Sequence, residues 1–286
     1  MPEVRIVTDS TADIPGELAK KYNITVVPLK VFFGEEVFRD GVDLTPGEFF
    51  QKLESSTVLP TTSQPTPGEF EEYYRPLMDQ GASIISIHIS SQMSGTFQSA
   101  KLAKKIVDYE DLEIIDSHIV SVPLAMMVIA SARAAKAGRT RDEILEMIRG
   151  MMKSQQTYFV VDTLEYLQRG GRIGKAQAFL GTLLNVKPVL HLKEGLIHPY
   201  EKVRGKNKAL NRLVQVAEEN YKDDKVWVYL THGNDPETLD KLRRKVEEKL
   251  NCTEIWENQL GPVVGTHVGP GLVGLAICKV DGIIEF

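Results

Sequence analysis

The chain has 286 residues, of which 42% are apolar, 7% aromatic and 26% charged. This is the composition of a globular protein with one large domain or two smaller ones. Thirty-four Lys and Arg against 39 Asp and Glu leave a formal charge of −5, which argues against a general nucleic-acid-binding protein. Two cysteines without metal-ligand spacing and an N-terminus unlike a signal peptide predict a cytoplasmic protein without structural zinc.

The first half of the chain alternates apolar strands with helical patterns. The predicted elements are a strand at 4–10, a helix at 15–23, a β-rich run at 24–33, a hairpin around Gly34, helices at 46–55 and 67–80, a strand at 83–90, a helix from Gly95 to about Val107, a strand at 112–116 and helices at 121–137 and 140–152. This alternation predicts an α/β/α domain with a parallel sheet and helices on both faces.

From about residue 155 the pattern changes. Strand-like segments lie at 157–162, 187–192, 196–203, 226–232 and 271–280, with helical patterns at 206–220 and 235–249. A hairpin-like KEG at 193–195 joins two of these strands. This half is therefore predicted to be an α+β domain with a mostly antiparallel sheet. A boundary between Lys153 and Thr157 gives domains at 1–155 and 156–286.

Several glycine-rich and catalytic motifs can be set aside. The G-x-G-x-x-G match at 269–274 contains Pro270 and leaves no room for a βαβ unit. The segment GGRIGK at 170–175 is too short for a phosphate loop, and Ala176 follows where Ser or Thr would bind magnesium. The chain has no G-x-S-x-G or H-E-x-x-H motif, so neither an α/β-hydrolase nor a metal site is indicated.

The helix at 121–137 is apolar on nearly every face. It is too short, and too interrupted by Ser121, Pro123 and Arg133, to span a bilayer. Such a helix is either packed centrally or lines an apolar cavity, and both interpretations stay open.

Three polar segments indicate an anion site. They are Thr61 to Pro65 before a helical pattern, Ser94 to Thr96 after a strand, and Gly265 to Gly271 with Thr266 and His267. Each alone is explained as helix capping or a turn. Together, hydroxyls and an imidazole can hold a carboxylate by hydrogen bonds. Asp9 and Asp116 end strands near the same crevice, but a carboxylate would repel an anion, so we expect them to make loop hydrogen bonds.

Seven motifs occur in order over nearly the whole chain. They are TDSTADIP at 8–15, PTTSQP at 60–65, SGTFQSA at 94–100, IDS at 115–117, LQRGGRI at 167–173, VKPVL at 186–190 and GTHVGPG at 265–271. On these motifs the sequence resembles the DegV family, the fatty-acid-binding subunits of bacterial fatty acid kinase.

The resemblance implies a long-chain fatty acid buried in a tunnel between the two domains. Its carboxylate would be held by Thr62, Ser94, Thr266 and His267, with further candidates at Thr61, Ser63 and Gly95. Met126, Met127 and Ile129 are candidate tunnel residues on the apolar helix.

The resemblance also implies a carrier rather than an enzyme. It would have no cofactor or metal and would present the acid to a separate ATP-dependent kinase subunit, which makes an acyl phosphate for phospholipid synthesis. It implies no nucleic-acid partner and is compatible with transient membrane contact.

The resemblance points to Arg172 and Arg204 as residues that engage the kinase subunit. The simpler interpretation is that both are solvated loop charges. A local basic cluster in this net acidic chain favours a partner surface instead. The cluster consists of Lys202, Arg204, Lys206, Lys208 and Arg212.

Two alternative functions were weighed. One is an enzyme for a small anionic metabolite, with His267 as general acid or base and Ser94 as nucleophile. The other is a transcriptional or degradative regulator, but the KLRRK segment at 241–245 is more simply a solvated helix face than a basic recognition helix.

Overall fold

The computed structural model describes residues 2–181 and 186–280. The described strands are β1 (Val4–Asp9), β2 (Thr25–Val27), β3 (Lys30–Phe33), β4 (Glu36–Arg39), β5 (Thr61–Ser63), β6 (Ser83–His88), β7 (Leu112–Asp116), β8 (Gln156–Val160), β9 (Val186–Lys193), β10 (Leu196–Arg204), β11 (Val226–His232), β12 (Cys252–Gln259) and β13 (Val273–Lys279). The helices are α1 (Gly16–Lys21), α2 (Pro46–Ser55), α3 (Pro67–Asp79), α4 (Thr96–Val107), α5 (Val122–Lys136), α6 (Arg141–Ser154), α7 (Glu165–Arg169), α8 (Lys206–Tyr221), α9 (Pro236–Lys249) and α10 (Pro262–Val268).

The N-terminal sheet is parallel, as the sequence predicted. Its strand order is β2-β1-β6-β7, and each neighbouring pair runs in the same direction. Successive residues of β6 point to opposite faces, so that Ile84 packs with α3 and α4 whereas Ile85 and Ile87 pack with α5. Helices therefore cover both faces of this sheet.

The predicted β-rich run at 24–33 forms two strands that belong to different sheets. The run divides into β2, which joins the parallel sheet, and β3, which pairs antiparallel with β4 and β5 in a separate three-stranded sheet. Pro28 lies between them and has no N–H to donate to a ladder, which favours a break at this point. The predicted hairpin is confirmed: Gly34, with φ +62°, turns the chain from β3 into β4.

The segment around Thr62 does not lie at a helix N-terminus. Thr61 to Ser63 form β5, paired with β3. Helix α3 begins further on, at Pro67, and Thr66 and Glu69 form a capping box at its N-terminus. Thr62 is thus held by a strand ladder.

The C-terminal sheet has the order β10-β9-β8-β13-β11-β12. All its pairings are antiparallel except β11 with β12, which confirms the predicted mostly antiparallel sheet. The sequence analysis did not predict β12, whose residues CTEIWENQ are partly or fully exposed along this edge of the sheet.

Helix α10 was also not predicted. Pro262 occupies its first turn, and Gly269, with φ +71°, ends it after seven residues. The GTHVGPG motif therefore places Thr266 and His267 on a short helix rather than in an extended loop.

Helix α5 packs between the two large sheets. Every residue from Val122 to Ser131 is buried, and the same apolar cluster includes Ile85 of the N-terminal sheet and Ala276 of the C-terminal sheet. This position explains why the helix is apolar on all faces. Among the described residues, no helix has the length and apolar character needed to cross a membrane.

Candidate functional site

A cavity of about 70 Å³ lies between the residues that follow β1 and β6, Val120 just before α5, and helix α10. Its polar lining side chains are Thr11, Thr62, Gln64, Ser94, Arg172 and His267, and contacts cluster all of them except Thr11 at one polar end. The remaining wall is apolar and is formed by Leu29, Ile89, Met93, Val120, Leu167, Ile197, Val263, Val264 and Val268. An apolar cavity with a few polar groups at one end is typical of a small-molecule site.

Thr62 and His267 meet although they are far apart in sequence. The Thr62 Oγ1 lies 2.8 Å from the His267 Nε2. Burial, together with the nearby Arg172 guanidinium, lowers the pKa of His267 to about 4, so the imidazole is neutral at physiological pH. A neutral imidazole can both donate and accept a hydrogen bond.

The other nitrogen of His267 faces a glycine. Nδ1 is buried and has no hydrogen-bond partner among the described residues. A Cβ at Gly170 would overlap it, so only glycine at this position leaves room for the ring. The LQRGGRI motif and the GTHVGPG motif are therefore in direct contact.

Ser94 and Gln64 contribute the opposite side of the polar end. The Ser94 Oγ lies 2.8 Å from the Thr96 Oγ1, and it also accepts a 3.3 Å hydrogen bond from the Thr96 N–H. A Cβ at Gly95 would stand 2.6 Å from the Gln64 Nε2, which gives this glycine a packing role at the start of α4. Ser63 and Gly95 do not line the cavity among the described residues.

An outer groove of about 270 Å³ adjoins the polar end of the cavity. Thr62, Arg172 and His267 line both spaces. Thr61 and Thr266 line only the groove, and the Thr266 Oγ1 donates to the Pro262 carbonyl within α10. Arg172 is fixed at this boundary by hydrogen bonds to the carbonyls of Met93 and Gly170, of 3.1 and 2.7 Å.

A second, apolar cavity of about 50 Å³ extends towards the C-terminal sheet. It shares Val120, Ile197, Val264 and Val268 with the first cavity, so the two are adjacent. Helix α5 lines it through its first residues, Val122 and Pro123.

The predicted tunnel residues lie elsewhere on α5. Met126, Met127 and Ile129 are fully buried in the core cluster, and none of them lines either cavity formed by the described residues. The apolar walls come instead from the start of α5, from α10 and from β8, β10 and β13.

Asp9 and Asp116 make loop hydrogen bonds, as predicted. Asp9 accepts from the Thr11 N–H and hydroxyl, the Ile89 N–H and His88. Asp116 accepts from the Ser91 and His118 N–H groups. Because Thr11 and Ile89 line the cavity, Asp9 also holds part of its wall in place.

The predicted basic cluster is neutralised in part. Lys206 pairs with Asp162 and Asp235, and Arg212 pairs with Glu201 and Glu219. Arg204 is exposed at the end of β10 and has no ion pair within the described residues. Lys202 and Lys208 are likewise exposed and have no ion pair among the described residues, so three of the five predicted charges stay available at this surface.

Comparison with known proteins identifies the family. The family model described as "Uncharacterised protein, DegV family" matches residues 3–280. The chain belongs to the DegV family. A DegV domain-containing protein of Listeria innocua is 39% identical over 277 residues, which cover 96% of this chain and 97% of the relative.

Two solved structures, the first of them of a DegV family protein, resemble the whole chain. One, from Thermus thermophilus and described by its fatty acid binding, has a TM-score of 0.92 and 36% identity and covers 97% of this chain and 99% of its own. A stearic acid-binding protein from Eubacterium ventriosum has a TM-score of 0.86 and 31% identity, with 98% of each chain covered.

Sequence reasoning missed Thr11, Gln64 and the placement of Arg172 in the cavity wall. Thr11 lies in the TDSTADIP motif and Gln64 in the PTTSQP motif, so both motifs carried a usable signal. Arg172 was assigned only to a partner surface because its contacts with Met93 and Gly170 depend on the fold.

The lowered pKa of His267 predicts a pH-dependent stability. The unfolded chain takes up a proton near the ordinary pKa of 6.5, whereas the folded protein does so only near 4. As pH falls through this interval, proton uptake favours the unfolded state, and wild type should lose on the order of 3 kcal/mol relative to His267→Gln. Urea denaturation of both proteins across this range measures the difference. Parallel profiles would contradict the assignment of a neutral His267.

Proposed function

We propose that the protein binds a long-chain fatty acid with its carboxylate at Thr62, Ser94 and His267 and its tail in the two adjacent apolar cavities. The observation that carries the proposal is their adjacency: the cavity with the polar groups and the wholly apolar cavity share Val120, Ile197, Val264 and Val268 in their walls. The fatty acid binding described for the Thermus thermophilus protein and the stearic acid binding of the Eubacterium ventriosum protein support it.

The tail supplies most of the affinity. Burial of about 14 methylenes at roughly 0.8 kcal/mol each is worth on the order of 11 kcal/mol before ordering costs. The polar end then fixes which end of the ligand faces the outer groove. A neutral His267 and two hydroxyls hold the carboxylate by hydrogen bonds, and Arg172 provides the nearby positive charge.

We propose further that the bound acid is presented to a separate ATP-dependent kinase subunit. The outer groove begins at the residues that hold the carboxylate, so a phosphoryl donor could reach the head group there while the tail stays buried. Arg169 and Arg172 line this groove, and guanidinium groups suit phosphate oxygens. Arg204 belongs to the proposed partner surface as an exposed charge.

The protein on this proposal is a cytoplasmic carrier and not an enzyme. The alternative, a small-anion enzyme with Ser94 as nucleophile, needs a base within reach of the Ser94 hydroxyl. That hydroxyl pairs with Thr96, while the Nε2 of His267 pairs with Thr62. We keep the division into domains at 1–155 and 156–286 as part of the proposal, with the acid bound between them; β8 begins the second sheet at Gln156.

The direct test is native mass spectrometry of the purified protein before and after denaturation. We expect a near-stoichiometric long-chain acid to be released, because a buried apolar tail dissociates slowly. A protein of bare sequence mass that also shows no thermal shift with palmitate or oleate would refute the proposal.

The head-group residues predict a selective loss of acid binding. Thr62→Ala, Ser94→Ala and His267→Ala should each weaken fatty acid binding by about 1 to 3 kcal/mol, because each removes a polar partner from a buried carboxylate. Fatty alcohols should distinguish poorly among these variants. Titration calorimetry on delipidated protein measures both ligands, with Thr253→Ala on β12 as an exposed control. Wild-type affinity for the acid in all three variants would remove the site.

The partner role predicts a separation of binding from phosphorylation. Arg204→Ala should retain fatty acid binding and Arg172→Ala should lose only the head-group part of it, but both should lose most acyl-phosphate formation with a fatty acid kinase subunit and ATP. Arg204→Lys should restore activity only in part, because lysine lacks the forked geometry. The rate is measured at subsaturating carrier concentration, with the paired Arg243→Ala as control. Full activity in both alanine variants would place the docking surface elsewhere.

A further inference from the structure

The TDSTADIP motif contains a second aspartate, Asp13, which has no part in the proposed fatty acid binding. Asp13 follows the short 3₁₀ turn at Ser10–Ala12 and is only 8% exposed. Its φ of +53° is a left-handed conformation that aspartate, asparagine and glycine adopt more readily than other residues. Asp13 therefore combines a buried carboxyl group with a backbone conformation that few residue types adopt readily.

The Asp13 carboxylate joins the N-termini of two helices. Its Oδ1 accepts a 3.0 Å hydrogen bond from the Gly261 N–H, and its Oδ2 accepts a 2.5 Å hydrogen bond from the Ser121 hydroxyl. Gly261 is the N-cap of α10 and Ser121 is the N-cap of α5, and neither residue caps its own helix with a side chain. The Asp13 carbonyl also accepts a 2.6 Å hydrogen bond from the Asn258 side chain, just before α10.

These two helix starts form much of the proposed binding cavity. The segment from Val120 to Pro123 lines it from α5, and Val263, Val264, His267 and Val268 line it from α10. Helix α10 has only seven residues, so a shift at Gly261 is transmitted to His267 within two turns. The contact between His267 and Thr62 is thus fixed from the far end of α10.

The surroundings of Asp13 are unfavourable for a carboxylate. Burial, and then the neighbouring Asp40, raise the pKa of Asp13 well above its usual value, and the hydrogen bonds from Ser121 and Gly261 only partly oppose this. No described Lys or Arg forms an ion pair with it. Proteins retain such costly groups chiefly where function requires them.

We propose that Asp13 is the positioning residue of the carboxylate site, holding α10 against α5 so that His267 stays opposite Thr62. This inference rests on the proposed fatty acid binding. Asp13 does not touch the ligand cavities lined by Thr62 and Val122. A shift of the apolar walls would change the affinities for a fatty acid and a fatty alcohol alike, so a displaced His267 should appear in the ratio of the two.

The test compares a fatty acid with the fatty alcohol of the same chain length. Asp13→Gly removes the carboxylate without strain, because glycine adopts a φ of +53° freely. Asp13→Asn keeps an acceptor for Gly261 and a group that can bond Ser121. Asp108→Gly is the matched control, since Asp108 has a φ of +47° at the exposed end of α4.

In Asp13→Gly we expect the dissociation constant of the alcohol divided by that of the acid to fall roughly tenfold. A tenfold fall corresponds to the loss of one hydrogen bond to the charged carboxylate of the ligand. Asp13→Asn should restore most of the ratio, and Asp108→Gly should leave it unchanged. If Asp13→Gly does not fold, Ser121→Gly removes the α5 contact alone and should lower the ratio about threefold.

A role in stability alone would give a different result. Unfolding midpoints would then fall while the alcohol-to-acid ratio stayed at the wild-type value, and this outcome would overturn the inference. If wild type itself bound neither ligand, the proposed function would fail instead. The two failures are therefore distinguishable in one set of titrations.

Discussion

The burial of α5 between the two large sheets is the constraint on which the rest of the structure depends. Every residue from Val122 to Ser131 is inaccessible to solvent, and the surrounding cluster contains side chains from both halves of the chain. A helix packed on all sides cannot shift without disturbing both sheets. Its first turn is therefore a rigid edge, and the cavities open at this edge, between Val120 and the short helix α10.

Periodic patterns predicted most of the fold, and tertiary contacts decided the rest. Apolar strands such as β6 and amphipathic helices such as α6 carry a local signal over many residues, so they were found. The edge strand β12 lacks an apolar run, and α10 has seven residues with an internal glycine. Their backbones are held by partners distant in sequence, including Thr231 for β12 and Asp13 for α10.

The sequence predicted which residues form the candidate site but not how these residues contact one another. Motif matching selected Thr62, Ser94 and His267, which line one cavity. It could not show that Thr62 pairs with His267, because 205 residues separate them. It also could not show that Lys206 is neutralised by Asp162 and Asp235, or that Met126 and Met127 pack behind the cavity wall. A sequence motif shows which side chains are available for binding, whereas the distances between side chains from different motifs depend on the completed fold.

The charge distribution around the proposed carboxylate position suits a carrier whose bound acid must stay reactive. A permanently charged group buried at the head of the cavity would hold the carboxylate strongly and lower its reactivity as a nucleophile. Here the buried partner is an imidazole whose pKa of about 4 keeps it neutral, and the positive charge belongs to Arg172 at the boundary with the outer groove. On the proposed function, the tail retains the acid while the head group stays accessible from the groove. Retention and reactivity are then controlled by different parts of the molecule: the apolar edge of α5 governs the first, and the contact between α10 and β5 governs the second.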